Sequence, residues 1–229
     1  MPNPNPEYDA AWSRFLATDS LTFVPETLES AWAHGRERYL AFLIPVDNAA
    51  AVAHLRPIAE RVGSIPGVES YPEDYWHITV KGAGFLVDEP SGSDELSVSA
   101  VDAAADHAAS ILDGGEQFKV TLGRANGFPE VVFMEAWDGG DVRRFNTALM
   151  ERIPALPRYP FDGPRFLPHI SIARFTSDEG LPRVKAVLSE LRDSPPGPSF
   201  TATHIDLISA HLSAAAPTFE LLRRYELSG

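Results

Sequence analysis

Apolar residues recur along this chain with two periods, and the periods assign its elements. Residues 39–46 are an almost unbroken apolar run, the mark of a buried strand. Val52, Leu55, Ile58, Ala59 and Val62 come next at helical spacing, which predicts a helix over 49–62 capped by Asp47 or Asn48. From Trp76 the pattern switches to strict alternation, a strand running to about Phe85; Gly82 and Gly84 in it suggest a bulge or a close backbone approach. Val98, Val101, Ala105, Ala108, Ile111 and Leu112 make 96–112 a second amphipathic helix. Residues 118–122 and 131–137 read as strands joined through Asn126-Gly127-Phe128-Pro129, a turn signal. A helix over 142–153 capped by Asp141, a strand over 167–175, a helix over 181–191 and strands over 200–212 and 219–227 complete the pattern. Ahead of all these stand a short helix over 9–16 and a helix over 26–38 started by Pro25.

The order of elements echoes itself. Strand, helix, alternating strand, helix, strand, strand is followed by helix, alternating strand, helix, strand, strand. The fold class expected is α+β, with two pseudo-symmetric lobes. Each is a small, mostly antiparallel sheet with helices on its outer face, and the active-site groove lies between the lobes.

The two alternating strands carry the candidate chemistry. One reads Trp76-His77-Ile78-Thr79-Val80-Lys81, the other Pro168-His169-Ile170-Ser171-Ile172-Ala173-Arg174. Strand side chains alternate faces, so His77 and Thr79 share one face and His169 and Ser171 another, with the aliphatic residues behind them. Side by side, the strands present two imidazoles and two hydroxyls to one groove, a site for a small anion. A single such histidine reads as an ordinary half-buried strand residue. The pair, with matched hydroxyls and a cation behind each (Lys81, Arg174), reads as a site. Alternation sends Trp76 to the core, while Phe85 and Phe166 stay open between packing and stacking. His211-Leu212-Ser213-Ala214 fits the tetrapeptide loosely and reads as a strand end. His107 reads as a surface or packing residue. His204 and His211 have no third ligand in view for a metal.

Composition narrows the class. The 229 residues suffice for one domain or two small ones with a real core. Cys is absent, which removes disulfides, thiolate metal sites and a thiol nucleophile. No apolar run reaches the roughly 18 residues of a membrane span, and the Pro- and Asn-rich start has no signal-peptide pattern, so a cytoplasmic location is the default expectation. The net charge of −13 argues against a general nucleic-acid surface, so any nucleic acid is gripped at one locally basic spot, at an end.

The paired His-apolar-Thr/Ser-apolar motifs resemble the 2H (two-histidine) phosphoesterase superfamily, in particular its branch of 2′-5′ RNA ligases and RNA 2′,3′-cyclic phosphodiesterases. Phe42-Leu43-Ile44 resembles the opening strand of that family, and Gly127-Phe128-Pro129 before Val131 its central hairpin. Arg165-Phe166-Leu167-Pro168 resembles the frame of its second motif. The resemblance covers about 39–227 as one bilobal domain. Residues 1–38 remain as an N-terminal extension, whose expected role is to cap an open edge of the first lobe. Lys81-Gly82-Ala83-Gly84 departs from the aromatic and Leu-Gly more usual after the first motif.

The resemblance implies a metal-independent, cofactor-free enzyme that opens 2′,3′-cyclic phosphates of RNA ends or small nucleotides, giving 2′-phosphates. His77 would be the acid and His169 the base. Thr79 and Ser171, with Lys81, Arg174, Arg165 and Phe42, would bind substrate. RNA ligation in the same site and a non-enzymatic nucleotide-binding module are the alternatives.

Overall fold

The computed structural model describes residues 6–23, 32–212 and 216–229. Its elements in chain order are α1 (Pro6–Ala17), β1 (Arg38–Pro45), α2 (Ala49–Gly63), β2 (Val68–Ser70), β3 (His77–Leu86), β4 (Glu95–Leu96), α3 (Val98–Leu112), β5 (Phe118–Gly127), β6 (Val131–Trp137), α4 (Asp141–Arg152), β7 (His169–Phe175), α5 (Leu181–Arg192), β8 (Ser199–Ala202), β9 (His204–His211) and β10 (Thr218–Glu226). The strands form one curled sheet in the order β10-β9-β1-β3-β7-β6-β5-β8, with β2 added to β7 and β4 to β3. All neighbours are antiparallel except β3 and β4.

The two expected lobes are the two halves of this sheet. A single residue pair, Ile78 with Ile170, joins β3 to β7 across the middle. Outside them stand β1 and β6, which pair Leu43 with Thr79 and Phe133 with Ser171.

One core fills the helical side. Ile78, Val80, Ile170 and Ile172 meet Leu55 and Val62 of α2, Leu112 of α3, Leu149 of α4 and Leu188 of α5 there. Each fully buried aliphatic of this kind contributes about 1.5–3 kcal/mol. A smaller cluster (Ala41, Leu43, Phe85, Ile208, Ala210, Leu212) lines the other face of the first half, with Ala33 packed over it.

Local signals explain the helix starts. Asn48 Oδ1 accepts the amides of Ala50 and Ala51 at 3.1 and 3.2 Å, and Ser97 Oγ accepts that of Ala100. At α4 the cap position is Gly140, at φ 105°, and Asp138 accepts the Val142 amide at 2.6 Å. Asp141, expected as the cap, is the first residue of the helix.

Other expectations are corrected. Asn126 and Gly127 end β5 instead of turning the chain, because the Asn126 amide finds buried acceptors in the Tyr8 carbonyl and Glu135. Thr203 interrupts the strand expected over 200–212. The helix expected over 26–38 lies partly outside the described residues. Its described part is a turn, with His34 and Gly35 at positive φ, before β1 begins at Arg38. The extension reaches both halves: α1 lies on the second, where Phe15 stacks on Phe175 and the Tyr8 hydroxyl reaches the carbonyls of Ala136 and Pro168, while Trp32 and Ala33 pack against Phe85 and its cluster on the first. Among the described residues no helix is long and apolar enough to cross a membrane.

Candidate active site

The Ile78–Ile170 pair sets the geometry of the site. Continuing that antiparallel register by one residue in each direction puts His77 opposite Ser171 and Thr79 opposite His169. All four sit on the face turned away from the main core and are partly exposed. The two imidazoles and the two hydroxyls therefore flank the one residue pair that joins the strands.

The same backbone device fixes both rings. His77 Nδ1 lies 2.6 Å from the Tyr75 carbonyl, and His169 Nδ1 lies 2.8 Å from the Leu167 carbonyl, two residues upstream in each case. A carbonyl only accepts, so each Nδ1 carries the hydrogen, and each neutral ring keeps a lone pair at Nε2. Aromatic edges and faces hold the rings from the sides. Tyr75 and Phe219 each stand 5.1 Å from His77, and Phe128 and Phe133 stand 5.2 and 5.1 Å from His169.

This enclosure sets the protonation. Burial pushes His77 down to about 4; its bond to the Tyr75 carbonyl opposes that, and the charge of His169 adds to it. Burial lowers His169 as well, against the Leu167 carbonyl. Both rings are neutral at pH 7, ready to accept a proton.

The cations expected behind the motifs part company. Leu43 pairs with Thr79 but Phe42 with Lys81, so β3 holds one extra residue, Val80. Phe133 pairs with Ser171 but Val132 with Ala173, so β7 holds one extra residue, Ile172, at the matching place. Such bulges re-aim the side chains beyond them. Lys81 turns to the core side and is 0% exposed, with Nζ 2.9 Å from Asp162 Oδ2 and donating to the carbonyls of Gly82 and Pro157. Phe42 lies in the main core beside Tyr225. Neither faces the groove.

Arg174, one residue beyond the second bulge, donates to Glu69 at 2.6 and 3.0 Å. It also lies close enough to Tyr71 and Tyr75 to oppose the upward push of burial on both phenols. Those rings stack at 4.1 Å, so Arg174 stands beside the wall of His77. Arg165 is exposed at the end of a 3-10 turn, four residues before His169, with no ion pair among the described residues.

One buried carboxylate beside the site is already satisfied. Glu135, the register partner of His169, is 1% exposed and accepts from Asn126, Trp137 Nε1 and Arg192, which occupies it as a base. His204 and His211 are the first and last residues of β9, roughly 23 Å apart at strand spacing, too far to share an ion. Trp76, Phe85 and Phe166 are all buried. Sequence reasoning missed the ring walls. Tyr75 had a signal, since it precedes His77 by two residues; Phe219 arrives from the far end of the chain and had none.

The family model of the 2′-5′ RNA ligase superfamily matches residues 42–214. E. coli LigT complexed with 3′-AMP is similar in structure, with a TM-score of 0.59 and 19% identity over 84% of this chain and 99% of that one. The crystal structure of a phosphoesterase gives the same figures. A conserved protein of unknown function from Agrobacterium tumefaciens, ATU0111, reaches 0.62 at 15% identity over 95% of this chain and 98% of its own. That match leaves outside it a smaller part of the chain than the N-terminal extension, so part of the extension has a counterpart there. No curated protein matches the chain.

Proposed function

Since this chain belongs to the 2′-5′ RNA ligase superfamily, we propose that its paired histidines open a 2′,3′-cyclic phosphate, on an RNA end or a small nucleotide, without a metal ion. Membership supports phosphoesterase or ligase-type chemistry. The observation that carries the finer reading is the symmetric pair of rings, each fixed through Nδ1, each with a lone pair at Nε2 and each two residues from a hydroxyl on its own strand.

In the proposed reaction Nε2 of His169 takes a proton from water as the water oxygen attacks phosphorus. The bond from phosphorus to O3′ breaks, and His77 delivers a proton to the departing O3′. The product is a 2′-phosphate, and the proton count balances. Thr79 and Ser171 donate to the non-bridging oxygens, where charge accumulates. The acid needs a proton that burial makes hard to hold, and a phosphate anion between the rings supplies the missing opposite charge. The roles of acid and base follow the resemblance. Structures of E. coli LigT with ATP, 3′-AMP and NADP+ favour a phosphate-bearing nucleotide as the ligand here too.

The test is incubation of a short RNA ending in a 2′,3′-cyclic phosphate with EDTA present, beside His77→Ala and His169→Ala. Conversion to a 2′-phosphate that needs both histidines is expected. Conversion abolished by EDTA would defeat the metal-free mechanism. Binding without turnover at any pH would favour a nucleotide-binding module.

A further inference from the structure

The residue before each histidine presents a carbonyl, and the two carbonyls are held differently. The Trp76 carbonyl accepts the Val46 amide at 3.0 Å, which carries the pairing of β1 with β3 one step past His77. At the matching place in the second half the Ala136 amide stands 3.3 Å from the Pro168 carbonyl, beyond the usual range of about 2.7–3.2 Å. A phenol supplies what that long bond lacks. The Tyr8 hydroxyl lies 2.6 Å from the Pro168 carbonyl and 2.8 Å from that of Ala136, and its single hydrogen is shared between them. Tyr8 is buried, which pushes its ionisation well above the ordinary range, so that hydrogen stays in place.

The Pro168 carbonyl bears directly on the catalytic ring. His169 Nδ1 bonds the Leu167 carbonyl, so the path from acceptor to ring runs through Pro168. The proline ring fixes φ there and the peptides are planar, which leaves the turn of the Pro168 carbonyl as the freedom at that residue. Holding it keeps the Leu167 carbonyl under Nδ1, and with it the aim of Nε2. Arg143 donates to the Phe166 carbonyl at 3.1 Å, so all three carbonyls ahead of His169 are engaged. Helix α1 is itself anchored to this place. The Asn126 side chain donates to the Tyr8 carbonyl at 3.0 Å, and Asp9 accepts at 3.1 Å from Arg192, which also bonds Glu135, the register partner of His169.

We propose that Tyr8 is a positioning residue for His169, which makes α1 of the N-terminal extension a working part of the active site. Tyr8 acts through the main chain and not on substrate. It precedes the segment 42–214 matched by the family model, so the device lies outside what that model describes. The kinetic consequence rests on the phosphoesterase reading above, whereas the hold on the ring does not.

The experiment uses Tyr8→Phe, which keeps the ring and removes the hydroxyl alone. The variant is expected to lower kcat on a 2′,3′-cyclic phosphate about tenfold at unchanged KM, short of the roughly hundredfold that a misplacement of about 1 Å can cost. The discriminating readout is the tautomer of each imidazole, from nitrogen NMR shifts at neutral pH. His169 should lose part of its Nδ1–H form, while His77, whose support is the Tyr75 carbonyl, keeps its own. Asp9→Asn loosens the seat of α1 and leaves the hydroxyl in place, so it should match the parent in kcat and at both rings. An unmoved His169 tautomer in Tyr8→Phe would overturn the proposal whatever kcat did, and a kcat equal to the parent's would do the same. Equal changes at both rings, or a loss in Asp9→Asn as large as that in Tyr8→Phe, would mark general loosening and overturn it as well. A change confined to His169, in a protein whose parent form turns over no cyclic phosphate, would keep the positioning role and sink the phosphoesterase reading.

Discussion

The two histidine strands carry the same motif and the same bulge, yet they are framed by opposite means. Beyond its bulge β3 turns an ammonium, Lys81, into the core, where β7 turns a methyl, Ala173. Burying an ammonium costs several kcal/mol unless it is paired and hydrogen-bonded, and Lys81 is both. The arrangement links the motifs. Asp162 and Pro157 belong to the loop that leads into β7, and Asn146 of α4 bridges the Val80 carbonyl to Asp162. The first histidine strand is thereby tied to the approach of the second by an ion pair. The second is steadied by a neutral phenol, Tyr8, on the carbonyl just before His169. Sameness at the rings coexists with difference in their supports, so chemistry and framing can be probed apart.

The largest expected effect tests the sameness. His77→Ala and His169→Ala should each lower turnover on the cyclic phosphate by about 10²–10⁴-fold, the range of a general acid or base, with unchanged circular dichroism. A folded variant that kept full activity would remove that ring from the reaction and end the symmetry argument. Next come the supports. Lys81→Met leaves Asp162 buried without its partner and should destabilise the protein by about 3–5 kcal/mol in urea unfolding. Adding Asp162→Asn should recover part of the loss. A single variant as stable as the parent would show that the ion pair does not frame β3. Tyr8→Phe, on the neutral side, should cost only about 1–2 kcal/mol. A loss as large as that of Lys81→Met would erase the contrast between the two frames.

The same comparison explains what the sequence made legible. Alternation within 77–80 and 169–172 is local, so His77, Thr79, His169 and Ser171 and the aliphatic backs of both strands could be placed from their spacing. Lys81 and Phe42 could not. Their facing depends on an extra residue in β3, and a bulge exists only relative to a partner strand. Gly82 and Gly84 hinted at irregularity there without saying which way Lys81 would turn. Asn126-Gly127 carried a strong turn signal, overridden because α1, more than 100 residues upstream, brings the Tyr8 carbonyl to the Asn126 amide. The lobes were visible as an echo of element order. That they are halves of one sheet rests on one residue pair, a contact no periodicity announces.

The smallest effect is in the titration of the two rings, and it asks how equal they are. His77 should titrate near 4 and His169 below its ordinary value of about 6.5, as read from imidazole proton shifts. Inorganic phosphate should raise both if both face one anion; a rise at only one would break the symmetry. The stability consequence has a definite sign. In the unfolded chain His77 takes up a proton near pH 6.5, which the folded chain refuses until about 4. Between those values the unfolded state binds more protons, so this residue makes stability fall as pH falls, with no contribution to the slope outside that window. His77→Gln cannot take up that proton and should lose less stability than the parent between pH 7 and pH 4.5 in urea unfolding. Equal losses would mean that the enclosure by Tyr75 and Phe219 does not hold His77 neutral, and that its proton is available before substrate arrives.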